Sequence, residues 1–160
     1  MTHSMMRSHT ARNRILGMAG AVWLAFASPS FAQAPADEIN AMLHQWAAGY
    51  GSASSAADML GYYDPDAVFW GTGGRQPFAS QADIEQYFAQ QFASFPTRKV
   101  SFIDPVIRVY GQTATATGLY KFEVATALGE ALAVTHRYSF AYVKTDAGWI
   151  IIHQHSSQLP

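Results

Sequence analysis

The residues best suited to chemistry stand at the end of one apolar segment, Gly148 to Pro160, which reads GWIIIHQHSSQLP. On a β-strand, side chains alternate with period two. Trp149, Ile151, His153 and His155 then share one face, and Ile150, Ile152, Gln154 and Ser156 the other. Two imidazoles point the same way, and imidazole changes charge near neutral pH, so it serves as a base, a hydrogen-bonding group or a metal ligand.

Each chemistry makes its own demand. A metal needs a third ligand beside the His153/His155 pair, and the candidates are His136 and Glu123. No carboxylate stands at a characteristic interval from the pair, so no metal and no other cofactor is expected. A serine nucleophile is disfavoured, because Ser156 follows His155 directly and falls on the opposite strand face. Proton transfer in an apolar pocket needs a base and a hydroxyl donor. Tyr50, Tyr62, Tyr63, Tyr120, Tyr138 and Tyr142 supply donors. As base, Asp64 and Asp66 flank Pro65 in what reads as a turn, whereas Glu123 lies mid-strand among Tyr120, Phe122 and Val124. Glu123 and His155 are therefore the catalytic candidates, with an exposed outer-sheet carboxylate as the alternative role for Glu123. Gly71-Thr72-Gly73-Gly74-Arg75 is only superficially a phosphate loop, since it leads to Pro77 rather than into a helix; it reads as a loop rim.

The elements that must position these residues follow from periodicity. Pro35 to Gly51 carries Ile39, Met42, Leu43, Trp46 and Tyr50 at helical spacing, with Asp37 and Glu38 in the first turn, where the helix dipole favours acids. Ser54 to Gly61 predicts a short helix capped by Ser54 or Ser55. Ala67 to Thr72 predicts a short strand. Ser80 to Phe95 predicts a third helix, opened by a Ser80/Asp83 capping box and carrying Ile84, Tyr87, Phe88, Phe92 and Phe95 on one face. The period then changes to two. Val100–Tyr110, Thr113–Thr126, Leu132–Thr145 and Trp149–Ser156 read as four strands joined by tight turns. Helices first and a strand meander after them predict an α+β fold, with helices laid on one face of a curved antiparallel sheet. A hairpin closed at Asp146-Ala147 sets Phe140 opposite His153 and Tyr138 opposite His155, and a one-residue slip reverses the face. In the slipped case Arg137 joins the histidines and can hold an anion. Trp46, Trp70, Phe88, Phe92 and Phe122 stand at core spacing, and Trp70 is a candidate pocket wall.

Composition bounds the rest. Residues 1–32 join a basic lead (Arg7, Arg12, Arg14) to an uncharged apolar run, Ile15 to Ala27, and the small-residue site Ser30-Phe31-Ala32, the pattern of a secretory signal peptide. Residues 33–160 then form one exported domain, periplasmic or secreted, with no membrane-spanning segment of its own. Without the leader, seven basic residues face eleven acidic ones. Such a chain offers no basic stripe for phosphates, so nucleic acid is excluded as a partner. Cysteine is absent, which removes disulfides and thiolate chemistry and leaves stability to the core or to association. Apolar residues on both faces of the strands around Tyr120–Val124 and Tyr138–Val143 predict a homo-oligomer formed through the sheet.

Tyr63-Asp64-Pro65-Asp66-Ala67-Val68-Phe69, Tyr138-Ser139-Phe140, Gly148-Trp149-Ile150-Ile151 and His155-Ser156-Ser157, in this order and spacing, resemble the NTF2-like (cystatin-like) superfamily. The resemblance covers residues 33–160 and is nearest to the SnoaL-like group and the bacterial relatives of the calcium/calmodulin-dependent kinase II association domain. It implies a cone, a bent sheet around a long helix with a pocket at the open end. In relatives that pocket binds small molecules or hosts isomerases and dehydratases, and the outer sheet mediates assembly. Carried onto this sequence, the ligand-binding candidates are His153, His155, Ser156, Arg137, Lys121, Tyr138 and Trp70. Lys121 matches a pocket arginine of the association domain by position, Ser156 replaces another, and Arg137 is displaced by three residues. Three readings stay open: a small-molecule-binding, self-associating domain, a cofactor-independent isomerase or dehydratase, and a purely structural assembly module with no ligand in its pocket.

Overall fold

The computed structural model describes residues 35–160; the proposed leader, residues 1–32, lies outside them. Three helices precede most of a five-stranded sheet: α1 (Pro35–Ser52), α2 (Ala57–Leu60), β1 (Tyr63–Trp70), α3 (Gln81–Ser94), β2 (Thr97–Tyr110), β3 (Thr113–Ala125), β4 (Ala131–Thr145) and β5 (Gly148–Gln158). The sheet order is β1-β5-β4-β3-β2, antiparallel except for the parallel β1/β5 pair. The α+β expectation and the four-strand meander hold. No helix among the described residues is long and apolar enough to cross a membrane.

α1 lies in the concavity of the sheet and buries Ile39, Leu43, Trp46 and Tyr50 on the stripe that its spacing predicts. It is pinned at both ends. At its start, Glu38 Oε2 accepts from Trp149 Nε1 at 2.6 Å and from Lys144 Nζ, so the β4/β5 hairpin holds the first turn. At its end, Arg98 of β2 donates to the carbonyls of Tyr50 (3.1 Å), Ala53 (2.9 Å) and Phe95 (3.0 Å) while its guanidinium lies 3.8 Å from the Phe92 ring centroid. These carbonyls lie in the last turn of α1 (Tyr50) or just after α1 and α3 (Ala53, Phe95), where helical partners run out. α3 opens with the predicted capping box, the Asp83 N–H donating to Ser80 Oγ at 3.2 Å and Ser80 Oγ to Asp83 Oδ2 at 2.7 Å. α2 departs from expectation. Neither Ser54 nor Ser55 caps it with a side chain; Asp58 Oδ2 instead reaches back to accept from both backbone N–H groups, at 2.9 Å each.

Bulges set the curvature. In β2, Asp104 sits at φ 44°, a left-handed conformation that aspartate tolerates, and register shifts between Ile103 and Val106. Gly118 lies across this kink, where a Cβ would come 3.2 Å from the Ile103 carbonyl oxygen. In β5, Ile151 pairs with Tyr142 and His153 with Ala141, so Ile152 is the extra residue of a bulge. β1 begins at Tyr63 rather than Ala67. The Asp64-Pro65-Asp66 segment read as a turn is a strand irregularity, in which the Asp66 N–H donates to Asp64 Oδ1 at 2.9 Å.

Candidate functional site

The bulge at Ile152 decides which side chains face inward. Trp149 and Ile151 are buried in the concavity as expected, but beyond the bulge the phase changes and Gln154 (2% exposed) and Ser156 (4%) take the inward positions. Phe140 lies opposite Gln154 and Tyr138 opposite Ser156. The expectation that His153 and His155 share a face with Trp149 and Ile151, opposite Phe140 and Tyr138, is thus overturned. Both histidines project from the outer face, beside Val68 and Trp70 of β1 and Ala141 and Ser139 of β4.

Inside, a cavity of about 240 Å³ lies between the helices and the sheet, open on the side of Leu132 and Val134. Its walls are aromatic: Trp46 and Tyr50 of α1, Phe69 of β1, Tyr87, Phe88 and Phe95 of α3 and its C-cap, Tyr120 and Phe122 of β3. Val124, Leu132 and Val134 line it where the β3/β4 hairpin ends, with Gln91 and Gln158 adding amides. Gly71 permits this packing, since a Cβ there would lie 2.4 Å from the Tyr87 ring. Apart from those two amides, the polar groups converge on one wall. Thr72 Oγ1 is 2.5 Å from Ser156 Oγ and 3.4 Å from His136 Nδ1, and the Tyr120 hydroxyl stands beside Ser156 and Thr72. Gln154 forms a second polar point, its Oε1 accepting from the Tyr63 hydroxyl at 2.5 Å.

Electrostatically the cavity is neutral. None of its sixteen lining residues is Asp, Glu, Lys or Arg. Burial pushes the Tyr120 and Tyr50 phenols up and the Tyr87 phenol up to about 12, so all three are hydrogen-bond donors at physiological pH. Desolvation pulls His136 below the ordinary imidazole value, which favours its neutral form, the form able to accept a proton. A neutral imidazole beside a tyrosine hydroxyl in an apolar cavity can take a proton from a carbon acid, while the hydroxyl donates to the oxyanion left behind.

The sequence candidates are distributed as follows. Ser156 belongs to the inner polar wall. Tyr138 is buried at 2% exposure, packed at 4.9 Å from the Phe102 ring. Trp70, expected at core spacing, is 38% exposed on the outer face with its ring 6.1 Å from His155. Glu123 pairs with Lys121 at 3.1 Å and Lys99 at 3.6 Å on the outer face, and its lysine neighbours hold its carboxyl below the usual range. Arg137 is exposed and donates to the Gln158 carbonyl at 2.8 Å. The outer face therefore gathers His153, His155, Trp70, Arg137, Lys121 and Glu123. Among the described residues no three His, Cys, Asp or Glu side chains converge as a metal site. Of the inner polar residues, sequence reasoning names His136 only as a candidate third metal ligand, Tyr63 only as one of several hydroxyl donors and Thr72 only in the loop rim, and gives Gln154 no role. The signal for Gln154, as for Ser156, is a polar residue at an inward strand position, and that becomes visible once the bulge is placed.

Comparison with known proteins agrees with this geometry. The model of the SnoaL-like domain family matches residues 39–160. A Xanthomonas campestris protein described as a calcium/calmodulin-dependent protein kinase II association domain superposes with a TM-score of 0.71 at 29% identity, covering 77% of this chain and 86% of its own. A nuclear transport factor 2-like superfamily protein of Salmonella enterica gives a TM-score of 0.70 at 22% identity, with 79% and 92% covered. A ketosteroid isomerase-like protein of Erwinia carotovora gives 0.66 at 15% identity, with 79% and 98% covered. No curated protein matches the chain. The last two likenesses speak for the fold alone, which is that of NTF2-like proteins, while the family match spans helix, cavity and closing strand together: this chain belongs to the SnoaL-like domain family.

Proposed function

We propose that this chain is an exported, self-associating SnoaL-like domain that binds a small molecule in its interior cavity. One observation carries the reading: an aromatic-walled cavity of about 240 Å³ holds a converged polar wall at Thr72, His136 and Tyr120, with Ser156 bonded to Thr72 behind it. A packed interior leaves few voids larger than a water molecule, and an apolar cavity with a few convergent polar groups is the form that ligand sites take. Native mass spectrometry of protein recovered from an exported fraction reads three quantities together. The expected result is a mature chain beginning near Gln33, a multimer, and a retained small-molecule mass. A bare monomer of full length overturns all three parts.

A second reading, a cofactor-independent isomerase or dehydratase, is favoured by His136. As the neutral base on the cavity wall it replaces His155 and Glu123, which the outer face carries. His136→Gln is expected to lower turnover by about 10²- to 10⁴-fold with the fold intact. Activity needs the unprotonated imidazole, so it falls on the acid side, with an apparent pKa below the ordinary 6.5. Because the folded value is lowered, the same group adds stability above the unfolded pKa and loses it as pH falls through the folded one. Full turnover in His136→Gln, together with loss in His155→Ala, would return catalysis to the outer histidines.

Self-association through the outer sheet face follows from its chemistry. Trp70 is 38% exposed, Val106 50% and Ile103 37%. Around His153 and His155 the paired positions are Val68 and Trp70 on β1 and Ala141 and Ser139 on β4, with Arg137 the charged group on the adjoining position. No acid faces the imidazoles there, and His153 is already pulled below its ordinary value by burial and by His155. Covering this face desolvates His153 further and so favours its neutral ring. The multimer is therefore expected to dissociate at least tenfold more readily at pH 5 than at pH 7.5, measured by sedimentation velocity at fixed salt. A pH-independent multimer would place the interface elsewhere.

A further inference from the structure

Under the cavity three buried side chains form a directed relay. Trp46 Nε1 donates to the Tyr63 hydroxyl at 2.9 Å, and that hydroxyl donates to Gln154 Oε1 at 2.5 Å. The direction is forced at the first link, because an indole nitrogen only donates. The Tyr63 oxygen is the acceptor there, so its own proton must go on to the next group. Were the Gln154 amide turned over, that proton would face another donor inside the core, at a tyrosine 2% exposed.

The relay therefore settles which end of the amide the cavity sees. Gln154 is 2% exposed and borders the cavity. Its oxygen is committed to Tyr63, and its NH₂ has no protein partner among the described residues. The polar side-chain atoms walled off without a partner are the hydroxyls of Tyr138 and Tyr142; the Gln154 nitrogen is not one of them, consistent with its facing open space. The hydroxyls of Thr72 and Tyr120 on the cavity wall both donate and accept, so they cannot tell an acceptor from a donor on a ligand. Gln154 offers donors alone.

Resting on the reading of the cavity as a ligand site, we propose that the Gln154 amide NH₂ reads a carbonyl oxygen on a small, flat, uncharged ligand. An uncharged ligand is favoured because no Asp, Glu, Lys or Arg lines the cavity, and the one titratable imidazole, His136, is held toward its neutral form. Flatness follows from the ring walls of Trp46, Phe69 and Tyr120. Size follows from the volume: about 240 Å³ is below the roughly 300–1,000 Å³ of pockets for drug-sized ligands, which favours one or two fused rings over four. The ligand class is a one- or two-ring aryl ketone, aldehyde or quinone.

The test uses 1-indanone and its isostere 1-methyleneindane, which has the same shape without the acceptor, titrated into the mature protein by calorimetry. Wild type is expected to bind the ketone about fivefold more tightly, the worth of one net buried hydrogen bond. Gln154→Met keeps length and removes the donor, and should erase the preference. Tyr63→Phe, which frees the amide to turn, should narrow it. Equal affinity for the two probes in wild type overturns the inference and leaves the cavity reading standing, and that comparison needs no variant to fold. Preference surviving in a folded Gln154→Met does the same. Binding of neither probe overturns inference and cavity reading together.

Discussion

Trp46→Ala is expected to lower the stability of the domain by about 4 kcal/mol and its Tm by roughly 15 °C. Trp46 is 2% exposed and is the hub of an aromatic cluster: its ring stacks on Tyr50 at 5.4 Å and meets Phe140 at 5.6 Å and Phe102 at 6.1 Å edge-on. Removing it leaves a void beside an existing cavity, and a void bordered by rigid rings relaxes little. It also removes the donor that sets the direction of the Tyr63 and Gln154 hydrogen bonds. Trp46→Phe separates the two losses. It keeps most of the packing and drops the N–H, at an expected cost of about 1–2 kcal/mol. Urea denaturation with an unchanged m-value checks both; a cost below about 1 kcal/mol for the alanine variant would mean that the ring cluster contributes no cooperative packing.

Arg98→Ala is expected to cost about 3 kcal/mol, as charge-assisted hydrogen bonds to carbonyls contribute more than neutral ones. The guanidinium serves three carbonyls from two helix ends at once, at 2.9–3.1 Å, and covers the face of Phe92. Its positive charge lies where both helix dipoles are negative. Alanine leaves those carbonyls without their donor and uncovers an aromatic face. Arg98→Lys should recover less than half of the loss, because a single ammonium cannot reproduce a planar fork. If lysine restored wild-type stability, charge alone would account for the residue and the fork geometry would be incidental.

What could be read from the chain beforehand was what periodicity carries. The stripe Ile39, Leu43, Trp46, Tyr50 and the Ser80/Asp83 box place α1 and α3 because helical spacing and capping are local properties. The long strands are legible for the same reason. The inward set of β5 was not, and the cause is specific. Ile150, Ile151 and Ile152 are the same residue three times over, and a uniform run carries no phase. A bulge inside it costs nothing in pattern and reverses every side chain after it. That one shift exchanges His153 and His155 for Gln154 and Ser156 at the inner face. The Asp64-Pro65-Asp66 segment misled in the same manner: turn chemistry is also what a strand irregularity uses. Arg98 carried no sequence signal, because its partners are backbone carbonyls, and carbonyls have no residue type.

β5 has a further consequence, for how the molecule comes to exist. Although last in sequence, it lies inside the sheet between β1 and β4. The Tyr63 to Gln154 contact joins residues 91 apart, so β1 waits through every intervening element for its partner. Until then two strand edges are open, which is the state most exposed to mispairing between chains. Closing so long a loop must be paid before its contacts return anything. Folding should accordingly be slow and concerted, its rate set by the docking of a single late segment. The amide that floors the cavity sits on that segment, so binding competence and completion of the fold arrive in one event.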